Sequence, residues 1–182
     1  APQTDSREIV KEIKNKLEVL STLLPKDIDV WGGPGIWSYD GYFHSLGGHV
    51  HFGRDAGNLI PLLHECLSVP IKCVVPRTLN QHRLKNYGRI TRLNNGVRGQ
   101  PHGFEYRILP SWIHHPRLVE TVYDIVKLIV NNEDFEIDSE EMQRTVSAIN
   151  NKESPIRQAL KTLDTMKQFR GFSAIEENIG WL

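Results

Sequence analysis

Cysteine is scarce in this chain of 182 residues: Cys66 and Cys73 are the two it has. Two thiols cannot form the disulfide framework of a small secreted domain, and their apolar neighbours read as reduced, buried thiols in an intracellular setting. Long apolar runs are also missing. No stretch approaches the roughly 18 to 20 residues that span a bilayer, and no charged-then-apolar leader opens the chain. Net charge is absent, with 22 basic residues balancing 22 acidic ones, which argues against a general attraction to nucleic acid or membrane. There is no Gly-x-x-x-x-Gly-Lys-Ser/Thr phosphate loop, no dinucleotide fingerprint and no Gly-x-Ser-x-Gly elbow. A nucleotide bound here would therefore sit on a sheet, through metals and arginines, rather than on a helix N-terminus. No internal repeat or low-complexity segment occurs. The first residue is Ala1 rather than methionine, so either residue 1 is processed or the chain begins partway through a longer product.

What is present suits one well-buried soluble domain with a small helical appendage. Its centre is Gly47-Gly48-His49-Val50-His51-Phe52-Gly53. Strand alternation sends His49 and His51 to one face and Val50 and Phe52 to the other. The run Phe104-Glu105-Tyr106-Arg107-Ile108-Leu109 alternates likewise, pairing Glu105 with Arg107 on one face. If the two strands share a sheet with those faces aligned, they offer a site for a metal, an anion or a metal-bound anion.

Several helices frame these strands. Residues 5–24 carry capping-box spacing at Asp5 and Glu8, then a stripe of Ile9, Ile13, Leu17, Leu20 and Leu24, ended by Pro25. A Gly/Pro-rich loop follows, then an aromatic stretch with Trp37, Tyr39, Tyr42 and Phe43, read as loop packing or as a platform for a planar ligand. Residues 58–67 predict a helix broken by Pro70. Pro116 opens another helix, with Val119, Val122, Tyr123, Val126, Ile129 and Val130 as its stripe. The polar stretch 131–138 is the expected boundary, dividing a domain at 1–131 from a helical extension at 132–182. There, Ser139 caps a helix with Met142, Val146 and Ile149, and Pro155 opens one with Ile156, Leu160, Leu163, Met166 and Phe169.

Each chemical motif has a plain alternative. His49 and His51 form either a metal-type pair or a structural one, though the flanking glycines let a backbone or phosphate approach closely. Glu105 and Arg107 form either a site or a surface ion pair. Charge distribution bears on this choice. No acid lies between Cys66 and Phe104, while Lys72, Arg77, Arg83, Lys85, Arg89, Arg92 and Arg98 all do. So many arginines beside one carboxylate would suit a polyphosphate. RNA binding is the other reading, but Tyr87 is the sole aromatic inside that segment. His114-His115 lacks the ligand spacing of a zinc site.

Taken together, Gly47–Gly53, Tyr87-Gly88, Pro101-His102-Gly103-Phe104-Glu105-Tyr106-Arg107 and Leu109-Pro110-Ser111-Trp112 resemble the phage-type carboxylate–amine ligases (amidoligases) of the glutamine synthetase and glutamate–cysteine ligase superfamily. The resemblance covers about residues 5–130. It implies an α+β fold in which a curved antiparallel sheet with flanking helices holds ATP and Mg, partial here and followed by a C-terminal helical extension. It also implies that ATP phosphorylates a carboxylate and an amine displaces the phosphate. Carried over by motif, His49 and Glu105 are implied as metal ligands, and His51, Arg98 and Arg107 as nucleotide-binding residues. Arg107, with Arg89 and Arg92, is implied in catalysis. The family's paired-glutamate strand, expected before the first helix, has no counterpart here. This implies a preceding segment or partner chain, and with it an oligomer. A catalytically silent structural or assembly protein of a phage-like particle is the alternative. Host cytoplasm or virion is the implied location.

Overall fold

Asp5 begins the first helix: its side chain accepts from the Arg7 N–H at 2.8 Å, satisfying one of the orphan donors of α1 (Ser6–Leu23). The structure, a computed structural model, describes residues 5–28, 36–45, 47–74, 96–138 and 155–180, with 140, 143, 144 and 147. Helix α1 lies against a later helix through its N-terminal half, and Ile9, Val10 and Ile13 are partly covered. The expected stripe is only partly used: Ile9, Ile13 and Leu24 are partly covered, whereas Leu17 and Leu20 are exposed.

Residues 36–45, read from sequence as a loop, form a hairpin of β1 (Ile36–Tyr39) and β2 (Tyr42–Ser45). Asp40 and Gly41 both have positive φ, at 49° and 76°, the type I′ geometry whose twist matches that of paired strands. The segment Ile28–Trp31 extends beyond the described residues, as do the basic stretch from 75 to 95 and the helix expected from Ser139.

The second sheet carries the two motif strands. Its order is β3 (Val50–Phe52), β5 (Gly103–Tyr106), β4 (Val97–Gln100), all antiparallel. Gly103 at the β4–β5 turn has φ 145°, and a Cβ there would collide with the Phe52 carbonyl and the Arg54 backbone, so glycine is required. The curved sheet implied by the resemblance is not what forms. Among the described residues there are a three-stranded and a two-stranded sheet, with strands of three or four residues. A sheet so narrow and short does not accumulate enough twist to curl.

Helix α2 covers residues 59–74 as three segments: α-helical Leu59–Leu62, π-helical Leu63–Ser68 and α-helical Val69–Val74. Pro70 therefore does not end the helix. In an α-helix its ring would press on the carbonyl four residues back; here the preceding π turn, where Val69 N–H reaches His64 O, widens the backbone at that point. Helices α3 (Pro116–Val130) and α4 (Pro155–Met166), a 3₁₀ turn (Phe172–Ala174) and α5 (Glu176–Ile179) complete the described elements. Within α4, Leu160 is exposed while Ala159, Thr162 and Met166 are buried.

One buried cluster joins these elements. Phe52, Phe104 and Tyr106 from the sheet meet Leu62, Cys66 and Leu67 of α2, Leu118, Val122 and Ile125 of α3, and Met166, Phe169, Phe172 and Ile179. Phe52 and Phe104 stack with centroids 4.6 Å apart. Polar ties fasten the ends. Asp124 accepts from Ser6 Oγ at 3.2 Å and from Asn178 Nδ2 at 2.8 Å, linking α1 and α5 to α3. Buried Asn132 donates to the Arg170 carbonyl and accepts from the Arg170 N–H. The helices after residue 131 thus share the core of the sheet. No helix among the described residues is long and apolar enough to cross a membrane.

Candidate functional site

Alternation and register together assemble the site. The core face takes Val50, Phe52, Phe104 and Tyr106; the opposite face carries a row in which His51, Glu105 and Arg98 stand side by side across three strands. The expectation that both motif strands share a sheet with aligned polar faces is met. Just before β3, Gly48 N–H donates to the Leu109 and Pro110 carbonyls at 3.2 and 3.0 Å. The Trp112 ring occupies the space a Cβ would need, so only glycine lets the chain pass there and deliver His49 to the same face.

Glu105 is the hub. Its side chain is only 2% exposed, although it points away from the apolar core. His49 Nδ1 lies 2.6 Å from Oε1, with Arg107 Nε at 3.7 Å and His51 Nε2 at 3.8 Å from the same oxygen. Oε2 meets Arg98 Nη2 at 2.5 Å and accepts from Gln100 Nε2 at 3.2 Å. Burial by itself would raise the Glu105 pKa, but His49, Arg98 and Arg107 outweigh it and hold the carboxyl below its usual value. The ionised carboxylate can only accept, so His49 Nδ1 carries the proton of that contact. The Arg107 backbone N–H donates to Gly96 O at 2.7 Å, holding its residue beside β4.

Two guanidiniums and two imidazoles surround one carboxylate, so the patch is cationic overall. Its layering is distinct: Glu105 lies beneath, while the side chains of His51 and Arg98 are 65% and 55% exposed. Such a surface suits an anion with several oxygens, such as a phosphate or a carboxylate. The residues fit a resident Mg poorly. Magnesium wants an octahedron of oxygens, usually one or two carboxylates with phosphates and water. Both oxygens of the sole carboxylate in the row already face fixed donors. Among the described residues, no group of three or more His, Cys, Asp or Glu side chains is placed to hold a metal ion.

Of the residues singled out from sequence, His49, His51, Arg98, Glu105 and Arg107 come together. Arg89 and Arg92 lie outside the described residues. His114 and His115 stand apart, with His115 at the N-cap of α3. Gln100 was missed; alternation with Arg98 along β4 carries its signal, obscured by the glycine between them. On the core side stands Tyr106, which strand alternation places opposite Glu105. Its hydroxyl is held by His64 Nδ1 at 2.8 Å and Ser68 Oγ at 2.7 Å, both from the π-helical segment of α2. Burial raises the Tyr106 pKa, so this hydroxyl stays neutral.

No curated protein and no solved structure matches this chain. A family model does, over residues 1–182, under the description phage phiEco32-like COOH.NH2 ligase-type 2. The match runs past Asn131 and through the C-terminal helices. The chain belongs to this family, whose name denotes a ligase-type activity between carboxyl and amino groups.

Proposed function

We propose that the chain joins a carboxylate to an amine at the expense of ATP, and that the Glu105 patch holds the reacting anion. The observation carrying this reading is the caged glutamate: a buried, ionised carboxylate that fixes His49, Arg98 and Arg107 around one open face. ATP, its phosphates held by Arg98 and His51, would supply the phosphoryl group that activates the carboxylate toward the amine. The work left to the protein is positioning and charge neutralisation, which phosphoryl transfer needs more than covalent help.

In this reading Arg98 and His51, the most exposed side chains of the patch, receive phosphate oxygens. Arg107, less exposed and with its Nε 3.7 Å from Glu105 Oε1, holds the carboxylate being activated or the phosphoryl group it receives. Arg89 and Arg92 supply further positive charge from the acid-free stretch of sequence. Arginine suits such contacts because its planar fork binds two oxygens at once.

The test is release of ADP from ATP across a panel of carboxylates and amines, with hydroxylamine as a general amine. ADP release should require both partners and yield a hydroxamate. Arg107→Lys, which keeps the charge and loses the fork, should lower turnover at least tenfold. ADP release that ignores the amine, or an Arg107→Lys variant equal to wild type, would sink the proposal. A panel with no turnover would leave the structural or assembly role.

A further inference from the structure

The caged geometry speaks against the metal-ligand role that the family resemblance implies for Glu105. We propose instead that Glu105 is a positioning residue, and that the patch binds a phosphate-type anion directly, without a divalent cation. This rests on the reading of the patch as the site of the reacting anion.

Layering is the first argument. A ligand arriving from solvent meets Arg98 and His51, and His49 at 34% exposure, before it can reach Glu105 at 2%. A hard cation would have to pass the guanidiniums to reach the one carboxylate, whereas an anion meets complementary charge first. The second argument is the engagement of the carboxylate. Oε1 takes His49 and Oε2 takes both Arg98 and Gln100, so the carboxylate orients side chains that are more exposed than itself. That is how a buried carboxylate acts as an orienter, fixing the tautomer of the histidine it accepts from.

The third argument is rigidity. Glu105 stands on the central strand, paired on both sides to His51 and Arg98, and Gly48 beneath Trp112 fixes where His49 begins. The donors are held in place before any ligand arrives, the condition under which an anion site needs no metal to organise it.

The probe is inorganic phosphate, titrated calorimetrically into metal-stripped protein in EDTA and again with magnesium. Nitrogen-15 spectroscopy of the histidine rings accompanies it. Wild type should bind phosphate in EDTA, with a Kd that magnesium changes less than twofold. Arg98→Lys, an exposed change with little risk to folding, should weaken binding at least fivefold. In Glu105→Gln, phosphate binding should persist in EDTA while His49 loses its single Nδ1–H tautomer. The proposal falls if phosphate binds only with magnesium, if it does not bind at all, or if magnesium tightens binding tenfold in wild type but not in Glu105→Gln. Turnover is measured separately, so metal-free phosphate binding without ADP release would overturn the ligase reading alone.

Discussion

Replacing Tyr106 by phenylalanine removes one oxygen and leaves a ring of nearly the same shape in the core. That oxygen is the shared partner of His64 Nδ1 and Ser68 Oγ, at 2.8 and 2.7 Å, and all three residues are buried. Stranding a buried polar group costs about 1–3 kcal/mol. Here the cost falls toward the lower end for each: the serine hydroxyl can turn to a helix carbonyl, and His64 makes a further interaction. Together the loss should be about 2 kcal/mol, the low end of the single-group range counted twice. In a chain of this size that is roughly 4–8 °C of Tm. Urea unfolding of wild type and variant gives the free energy directly, and an unchanged slope would show that only the native state was altered. The cycle with Ser68→Ala should return a coupling of roughly 1 kcal/mol, because both changes delete the same bond. A Tyr106→Phe variant within about 0.3 kcal/mol of wild type, or a cycle with no coupling beyond error, would refute the reasoning.

Stability should respond to acid through Glu105. Its native pKa is depressed, so the stabilisation is present above the ordinary glutamate range and is lost as pH falls through the native value. Urea melts from pH 7 to 3 should show wild type losing an advantage over Glu105→Gln; a gap that stays constant would contradict the ionised cage. The thiols should resist alkylation in the native state, because burial pushes Cys73 up to about 11 and raises Cys66 as well, the latter helped by Glu65. At pH 8 iodoacetamide should modify Cys73 on the order of 10²-fold more slowly than a free cysteine, and both thiols promptly in urea. Fast labelling of folded protein would count against the placement of Cys66 in the core and Cys73 partly buried beside it.

The polar face of the site was legible because a strand has a period of two. His49 and His51, then Glu105 and Arg107, declare their shared faces from local spacing alone, and pairing needed only the right register. Arg98 was singled out for its charge, but its strand was not recognised: Val-Arg-Gly-Gln holds one apolar residue and a glycine. The hairpin at Asp40-Gly41 hid within a stretch of sequence rich in aromatics, although Asp-Gly is itself a strong turn signal. Pro70 obeyed a local rule that a buried π turn overrides. The contacts of Tyr106 with His64 and Ser68 join residues 42 and 38 positions apart, a separation at which spacing carries no information.

Glu105 and Tyr106 are neighbours on one short strand, one facing the site and the other the core. A slip of a single residue in the pairing of β5 would exchange them, burying a carboxylate among leucines and turning the tyrosine outward. Such a slipped state would lose both the apolar packing and the ion cage at once, leaving no intermediate arrangement that keeps half of each. The polar face is therefore an all-or-none product of folding: whatever fraction of the chain has its core in order also has its cluster around Glu105 in order. Lesions in the interior, far from any ligand, should reduce the number of working molecules and leave each surviving one at full capability.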